Sequence, residues 1–188
     1  MIRKTVLALM LAAAGVNAHA ALSAGDIAFT SFNADEDGLS FVTFKNIDAN
    51  TTIFFSDNEW GGSAFNTGES YNQWNSGSSQ IDAGSVIRFS AYDKTTLSAS
   101  TGTLSRVTVA SNTNWGISTT ADTIYAYLGS SATAPTTFLS AISNATDGSL
   151  VGTGLTEGTN AIRLNSIATG ATPDYAEYNG ARSGAASF

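Results

Sequence analysis

The chain has 188 residues, with 8 lysine and arginine residues against 15 aspartate and glutamate residues, one histidine and no cysteine. The length fits one domain, with or without a processed segment. The net charge of −7 leaves too few basic residues for a surface that binds nucleic acid, so that class of partner is excluded.

The first 20 residues have the pattern of a secretory signal peptide. Arg3 and Lys4 precede a short apolar run, and a small-x-small motif of the kind that signal peptidase recognises ends at Ala20. The apolar run is shorter than the roughly 20 residues that a transmembrane helix needs. The sequence therefore predicts a single mature domain over residues 21–188, secreted or displayed at a bacterial cell surface and not membrane-spanning after cleavage.

Cleavage would remove the histidine and leave 168 residues with a net charge of −9. Without histidine or cysteine, the mature chain cannot build a Ser-His-Asp triad, a thiol nucleophile, a zinc site of the usual ligands or a disulfide. The fold must depend on its core, for which 19 aromatic residues supply apolar surface. We expect no cofactor. Calcium is the one candidate for a bound ion.

Short runs of β-branched and aromatic residues, bounded by Gly, Asn, Asp or Ser, recur along the mature chain. This pattern is typical of an antiparallel β-sandwich or β-barrel. We predict an all-β fold of the first kind, an antiparallel, immunoglobulin-like β-sandwich. The run from Leu39 is apolar on most of both faces, which favours a central strand. Helical periodicity is sparse; Pro135–Ser143 is the best candidate for one short helix, and a strand is the alternative. The predicted strands are Asp26–Phe32, Leu39–Asn46, Thr52–Ser56, Ser85–Ala91, Leu104–Ala110, Thr123–Leu128 and Ala161–Asn165.

One segment of ten residues is repeated with an offset of 34, since Ile47–Ser56 and Ile81–Ser90 are identical at six positions. A solenoid needs about three such units, and no third is present in the sequence. Asn50 and Gly84 occupy the same place in the two copies, and both residue types tolerate the left-handed conformation of a tight turn. The repeat therefore predicts one turn-into-strand unit that is used twice.

An acidic loop over residues 33–38 places oxygen-bearing side chains at Asn33, Asp35 and Asp37, just before a glycine. This resembles the start of a calcium loop, although the closing glutamate of an EF-hand is missing because Phe44 occupies its position. The simpler interpretation is a polar hairpin turn with Asp37-Gly38 as its signal. Weak Ca²⁺ binding at these three residues is the alternative.

The densest cluster of acidic and aromatic residues contains Asp57, Glu59, Trp60, Glu69 and Trp74. Paired carboxyl groups beside tryptophan are the components of a glycosidase or of a sugar-binding surface. The alternative is a long inter-strand loop in which the two tryptophans cap the end of the sandwich and the carboxylates bind local backbone N–H groups. We retain these five residues as a candidate ligand-binding site and favour the structural alternative.

The sequence resembles a group of exported bacterial proteins of the PEP-CTERM-associated type, which have a lamin-tail-like β-sandwich. The resemblance spans about Leu22 to the end of the chain and is carried by the following segments: DIAF (26–29), FNAD (32–35), NTTI (50–53), SDNEW (56–60), AFNTGE (64–69), NWG (114–116) and TIYAY (123–127). The sorting tail of that group does not follow the GARSG segment at residues 180–184. The resemblance therefore leaves open whether this chain is a C-terminally truncated fragment or a member that is released.

These observations lead us to expect a non-enzymatic module of the cell surface or extracellular matrix, with an extracellular polysaccharide as its candidate partner. A secreted hydrolase that uses Asp57, Glu59 and Glu69 is the alternative. A further alternative is an accessory domain that accompanies a larger secreted enzyme and has no chemistry of its own.

We predict that the exported protein begins at Ala21. Mass spectrometry of the secreted or surface fraction would identify this N-terminus through the loss of the first 20 residues. Recovery of an intact chain that begins at Met1 and stays in the membrane would contradict the prediction.

Overall fold

The computed structural model describes residues 21–109, 112–145, 148–164 and 172–181. The predicted signal peptide lies outside these ranges, as do Ala110 and Asn165 at the ends of two predicted strands. Within the ranges, no helix is long and apolar enough to cross a membrane. The described residues form eleven strands: β1 (Ile27–Asn33), β2 (Gly38–Thr43), β3 (Thr52–Ser56), β4 (Tyr71–Asn75), β5 (Val86–Ser90), β6 (Ser98–Ala99), β7 (Thr103–Arg106), β8 (Thr123–Ser131), β9 (Ala134–Ser143), β10 (Ala161–Arg163) and β11 (Tyr175–Glu177).

The described strands form two sheets that pack face to face as a β-sandwich. Sheet 1 has the order β11-β1-β2-β5-β6, and sheet 2 has the order β10-β9-β8-β3-β4-β7. Neighbouring strands are antiparallel except for β9 and β10, which are parallel. The predicted all-β sandwich is thus confirmed, and β2 is the central strand of sheet 1, as its two apolar faces indicated.

The seven predicted strands correspond to β1, β2, β3, β5, β7, β8 and β10, with ends that differ by a few residues. The short helix considered for Pro135–Ser143 is wrong and the strand alternative is confirmed, because this segment forms β9 and pairs with β8 along most of its length. Strands β4, β6 and β11 were not predicted from the sequence. The runs of β6 and β11 are too short to show alternation, and β4 places polar Asn72 and Gln73 between its aromatic residues.

An aromatic core joins the two sheets. Phe41 of β2 is fully buried, and its ring centroid lies 5.7 Å from that of Phe55, 5.5 Å from that of Trp74 and 5.7 Å from that of Phe89. Phe41 and Phe89 belong to sheet 1, whereas Phe55 and Trp74 belong to sheet 2. These edge-on and tilted contacts are the favourable geometries of aromatic pairs, so the core stabilises the sandwich beyond the area it buries.

The outer face of sheet 2 carries a second apolar cluster. Trp60 and Phe65, from the long segment between β3 and β4, cover the strand residues Tyr125, Tyr127 and Phe138. The Trp60 indole N–H donates to the carbonyl oxygen of Val151 at 2.8 Å, which fixes the ring. Sheet 2 is therefore covered on both faces around β3 and β8, which explains the consecutive buried apolar residues of these two strands.

The repeated segment forms two equivalent turns that pair with each other. Asn50 and Gly84 both have positive φ values, of 60° and 87°, as the repeat predicted. The amide of Ile47 donates to the carbonyl of Ile81, and the reciprocal bond is also present, at 2.8 and 2.9 Å. One turn leads into β3 of sheet 2 and the other into β5 of sheet 1, so the repeat links the two sheets at one end of the sandwich.

We predict that Phe41→Ala lowers the free energy of unfolding by about 3 to 5 kcal/mol, because it leaves a cavity between the sheets. Val86→Ala is the control, since Val86 is 57% exposed and its truncation should change stability by no more than about 0.5 kcal/mol. Urea denaturation followed by tryptophan fluorescence measures both values. Equal effects for the two variants would contradict the assignment of the core.

Candidate functional site

Polar side chains replace the aromatic core at the opposite end of the sandwich from the paired turns. We call this set the end cluster; it consists of Asp57, Glu69, Ser70, Asn72, Tyr92, Arg106 and Asp122. Asp57, Ser70, Asn72, Tyr92 and Asp122 are each no more than 4% exposed. Such a concentration of enclosed polar groups is unusual, because burial of a polar group costs free energy unless the group is paired.

Two carboxyl groups of the end cluster extend strands of sheet 2 on the face that points toward sheet 1. Asp57 continues the alternation of Ile53 and Phe55, and Asp122 continues the alternation of Ile124, which faces the same interior. Phe55 of β3 and Ile124 of β8 pack in the core and hold the ends of these strands in the interior. Asp57 and Asp122 are therefore enclosed although they lie just beyond the strand ends.

The same alternation brings in an amide and a guanidinium group. The side chains of Trp74 and Leu104 belong to the core between the sheets. Asn72 lies two residues before Trp74, and Arg106 lies two residues after Leu104. Asn72 and Arg106 are direct partners in the register of β4 and β7. The end cluster thus crosses several strands of sheet 2 at about the same level.

Asp57 is the centre of the end cluster. Its Oδ1 atom accepts hydrogen bonds from the amide and the hydroxyl of Ser70, at 2.7 and 2.8 Å. Its Oδ2 atom is enclosed and has no hydrogen-bond partner. Burial raises the pKa of Asp57 to about 7; the bonds from Ser70 act in the opposite direction, and the negative charge of Glu69 adds to the increase.

Two further carboxyl groups are perturbed in the same direction. Burial raises the pKa of Glu69 to about 7, with a contribution from the charge of Glu59. Burial raises the pKa of Asp122 to about 8, and the charges of Asp57 and Glu69 contribute. Asp122 accepts hydrogen bonds from the amides of Ser118 and Thr123, which only partly offset these effects.

Arg106 is the cationic member of the end cluster. Its Nη2 atom donates to the carbonyl oxygens of Tyr92 and Lys94, at 2.5 and 3.1 Å. The guanidinium carbon lies 4.5 Å from the centroid of the Trp115 ring, within the range of a cation–π contact. Burial lowers the pKa of Arg106, opposed by Tyr92 and Asp57.

Enclosed polar atoms without a partner are concentrated at this end of the molecule. Within the described residues, they lie in the end cluster or in the loop that follows β7 and packs against it: Asp57 Oδ2, Glu69 Oε2, Asn72 Oδ1, Tyr92 Oη, Arg106 Nε and Nη1, Asn112 Oδ1 and Trp115 Nε1. Folded proteins pair the great majority of such atoms with protein or bound solvent. The unpaired polar atoms of the described residues are therefore concentrated at this end of the sandwich.

The structure brings together two of the five residues in the candidate site at Asp57–Trp74. The negative charge of Glu69 contributes to the raised pKa of Asp57, and we assign both residues to the end cluster. Glu59 lies on the exposed side of the loop, where the side-chain amide of Asn66 donates to its Oε2 atom.

The two tryptophans of that candidate site lie in different cores. Trp74 is fully buried between the sheets, and its indole N–H donates to the carbonyl oxygen of Thr101 at 2.7 Å. Trp60 is 6% exposed and packs on the outer face of sheet 2. Neither ring caps the end of the sandwich as the structural alternative expected, and neither presents a free face for a sugar ring.

The acidic loop with Asn33, Asp35 and Asp37 connects β1 and β2 as a hairpin turn, with Asn33 paired to Gly38. The Asn33 side chain accepts a hydrogen bond from the amide of Glu36 at 3.0 Å. The Asp37 carboxylate accepts one from the amide of Ile117 at 2.6 Å, so it ties this hairpin to a distant loop. Within the part of the chain that the structure describes, no three His, Cys, Asp or Glu side chains form a group that could hold a metal ion. Calcium binding at the hairpin stays a prediction.

A groove of about 250 Å³ lies beside β10 and is lined by Ala28, Ser140 and residues 157–163. Arg163 crosses this region, but its guanidinium group is occupied by Glu157 at 2.8 Å and by the carbonyl oxygens of Ala145 and Gly148. The groove contains none of the residues of the end cluster. It is a surface depression whose charged groups already have partners.

Comparison of the chain with protein-family models, with curated proteins and with solved structures found no match in any of the three. The assignment of the site therefore depends on the geometry alone.

Five members of the end cluster were not predicted from the sequence: Ser70, Asn72, Tyr92, Arg106 and Asp122. A signal for four of them was present, because each is a polar residue at a position where the alternation of a strand requires a core residue. Tyr92 gave no such signal. It follows Ala91, whose positive φ of 57° redirects the chain after β5 and turns the tyrosine ring inward.

We predict that in metal-free buffer the protein loses stability as the pH rises from 5.5 to 8. The pKa values of Asp57 and Asp122 in the folded state, about 7 and about 8, exceed the value near 4 of an exposed carboxyl group. The folded protein therefore holds protons that the unfolded chain has released, and this stabilisation is lost as the pH rises through 7 to 8. We expect a decrease of at least about 1 kcal/mol per pH unit between pH 5.5 and 7, measured by urea denaturation.

Asp57→Asn tests the origin of this slope. The amide oxygen of asparagine can accept both bonds from Ser70 without adding a charge, so the variant should have a shallower pH profile than the wild type and should exceed its stability at pH 8. Parallel profiles for the two proteins would show that Asp57 is not the source.

Proposed function

We propose that the protein is an exported, non-enzymatic β-sandwich module of the cell surface or extracellular matrix, with neutral glycans as its ligands. The observation that carries this proposal is the enclosure of Asp57, one of the three acids that a hydrolase would use. Asp57 is 1% exposed and is held by Ser70 beneath the segment between β3 and β4. A catalytic acid must come within hydrogen-bond distance of a substrate oxygen, and this position offers no open approach to a polysaccharide.

The sequence adds two further lines of support. The signal peptide pattern of residues 1–20 directs the chain out of the cytoplasm. The motifs from Asp26 to Tyr127 resemble those of exported proteins of the PEP-CTERM-associated, lamin-tail-like type, which implies a place at the surface or in the matrix. Serine and threonine make up 47 of the 168 mature residues, which gives the module an abundance of hydroxyl groups and few charges.

Exposed aromatic rings indicate where a glycan would bind. Tyr175, on the edge strand β11, is 54% exposed, and Tyr178, just after it, is 46% exposed. Their hydroxyl groups are oriented by Glu177 and by the carbonyl oxygen of Ala181. Tyrosine rings held in this way present apolar faces on which sugar rings can stack. The negative charge of the protein favours neutral over acidic polysaccharides.

A hydrolase is the second candidate, and one observation favours it. The pKa values of Asp57 and Glu69, each raised to about 7, are suited to a carboxyl group that acts as a general acid near neutral pH. For this activity the segment between β3 and β4 would have to open and expose Asp57.

We predict that the double variant Tyr175→Ala/Tyr178→Ala is retained about tenfold less on a neutral polysaccharide matrix than the wild type, which corresponds to a loss of roughly 1.4 kcal/mol of stacking. Val86→Ala/Val151→Ala is the matched control, since it removes side chains that are 57% and 72% exposed but not aromatic. Affinity electrophoresis in polysaccharide gels measures the retention. Equal retention of both double variants and the wild type would reject glycan binding at these tyrosines.

The same polysaccharides, incubated with the wild type, should release no new reducing ends. If they do, and if Asp57→Asn and Glu69→Gln both abolish the release while the protein stays folded, the hydrolase is the correct function instead.

A further inference from the structure

The outer face of sheet 1 differs from that of sheet 2, because neither apolar cluster of the described residues lies on it. Along β5, the core residues Ile87 and Phe89 alternate with exposed residues that point outward, among them Arg88 and Ser90. Toward the acidic hairpin, the outward residues of the other strands are polar as well. We call this part of the sheet the polar face; it consists of Thr30, Ser31, Ser40, Arg88, Tyr175 and Glu177.

One row of side chains crosses the polar face in direct register. Glu177 of β11, Ser31 of β1, Ser40 of β2 and Arg88 of β5 are successive partners in the pairing of these four strands. The residues next to them on β1, β2 and β5 belong to the core, so the row points outward. It spans three spacings between neighbouring strands, or about 14 Å.

A β-bulge adds a hydroxyl group to the middle of this row. The register shifts between Phe29 and Ser31, so that Thr30 and Ser31 together face Ser40. The Ser40 Oγ atom lies 2.8 Å from Thr30 Oγ1 and 2.6 Å from Ser31 Oγ. Three hydroxyl groups carry three hydrogens, and the two hydrogen bonds between them use two. The trio can therefore both donate to and accept from a ligand.

Tyr175 places an aromatic ring at the edge of the polar face. It is the direct partner of Asn33 on β1, and its hydroxyl group donates to the Oε2 atom of Glu177 at 2.8 Å. Because residues two apart on a strand point to the same side, Tyr175 lies on the same side of sheet 1 as the row that begins at Glu177. The polar face is therefore continuous with the tyrosine to which glycan binding is assigned above.

The charges of the polar face favour a neutral ligand. Arg88 and Glu177 carry one positive and one negative charge, which cancel, although the chain as a whole has a net charge of −7. Arg88 belongs to none of the ion pairs among the described residues, so its guanidinium group offers donors to a ligand. Sugar hydroxyl groups match the hydroxyl trio because they also donate and accept, whereas a carboxylate or phosphate only accepts and an ammonium group only donates.

We propose that the polar face binds an extended chain of neutral sugars, which crosses the strands from Tyr175 on β11 to Arg88 on β5 and contacts the hydroxyl trio at its middle. This inference rests on the glycan binding proposed above and adds the class of ligand. A contact length of about 14 Å is longer than a single sugar ring, so the ligand is an internal stretch of polysaccharide and not one terminal sugar.

The first test measures how affinity depends on chain length. Affinity electrophoresis in gels that contain a mixed-linkage β-glucan, a galactomannan or a dextran identifies a neutral polysaccharide that retains the wild type. Calorimetric titration with oligosaccharides of that polysaccharide, from disaccharide to hexasaccharide, should give a Kd that falls about tenfold or more, because longer chains reach more of the polar face. The same Kd for every length would overturn the extended site.

The second test removes groups from the polar face. Thr30→Val/Ser31→Ala deletes two hydroxyl groups with little change in volume and should weaken retention on the polysaccharide about tenfold. Ser131→Ala/Thr133→Val is the matched control; these exposed hydroxyl groups lie 3.3 Å apart at the turn between β8 and β9, and their loss should leave retention unchanged.

Arg88→Ala tests the far end of the row and should weaken retention about threefold. Arg88 is exposed, so this variant keeps the test decisive if the loss of the hydroxyl groups destabilises the fold. Circular dichroism checks that each variant folds.

The outcomes separate this inference from the proposed function. If Tyr175→Ala/Tyr178→Ala loses retention while Thr30→Val/Ser31→Ala and Arg88→Ala keep it, glycan binding stands and the extended site is rejected. If none of the three polysaccharides retains the wild type, both proposals fail. A wild-type dimer in sedimentation analysis that Arg88→Glu dissociates would show that a second copy of the chain covers the polar face, which would also reject the inference.

Discussion

The contact between the aromatic rings of the two sheets is the interaction on which the rest of the molecule depends. The chain has no cysteine for cross-links and few charges for ion pairs, so Phe41, Phe55, Trp74 and Phe89 supply the cohesion. Their side chains come from the central strands of both sheets, and their removal would separate the layers. The burial of apolar area, not a covalent or ionic link, sets the stability of this domain.

The same core fixes the position of the polar residues. Asp57 lies two residues beyond Phe55, and Asn72 lies two residues before Trp74, so the rings that anchor β3 and β4 also place these polar groups in the interior. The enclosure is costly, and it is only partly offset by the hydrogen bonds that Ser70 donates to Asp57. The end cluster is therefore maintained at a cost in stability, because the strands that carry the aromatic core also carry these polar residues.

Sheet 2 also supports the loop segment that packs on its outer face. The loop residues Trp60 and Phe65 pack on Tyr125, Tyr127 and Phe138, and this packing holds the segment between β3 and β4 over the sheet. That segment carries Glu69 at its end, beside Asp57. The outer aromatic cluster therefore fixes the segment that carries Glu69, although it contains none of the polar residues of the end cluster.

The sequence by itself determined the all-β class, most of the strands of the two sheets and the two equivalent turns at Asn50 and Gly84. It also excluded histidine and cysteine chemistry in the mature chain. These features could be predicted because alternation, turn residues and composition are local properties. The sequence also singled out Asp57 and Glu69. Only the tertiary structure decided which carboxyl groups are enclosed together and that Arg106 and Asp122 join them. It also decided that Trp74 belongs to the core between the sheets and Trp60 to the cluster on the outer face of sheet 2. The burial of these side chains and the interaction of their charges depend on residues that are distant along the chain. The strand order that brings those residues together cannot be predicted from any single segment.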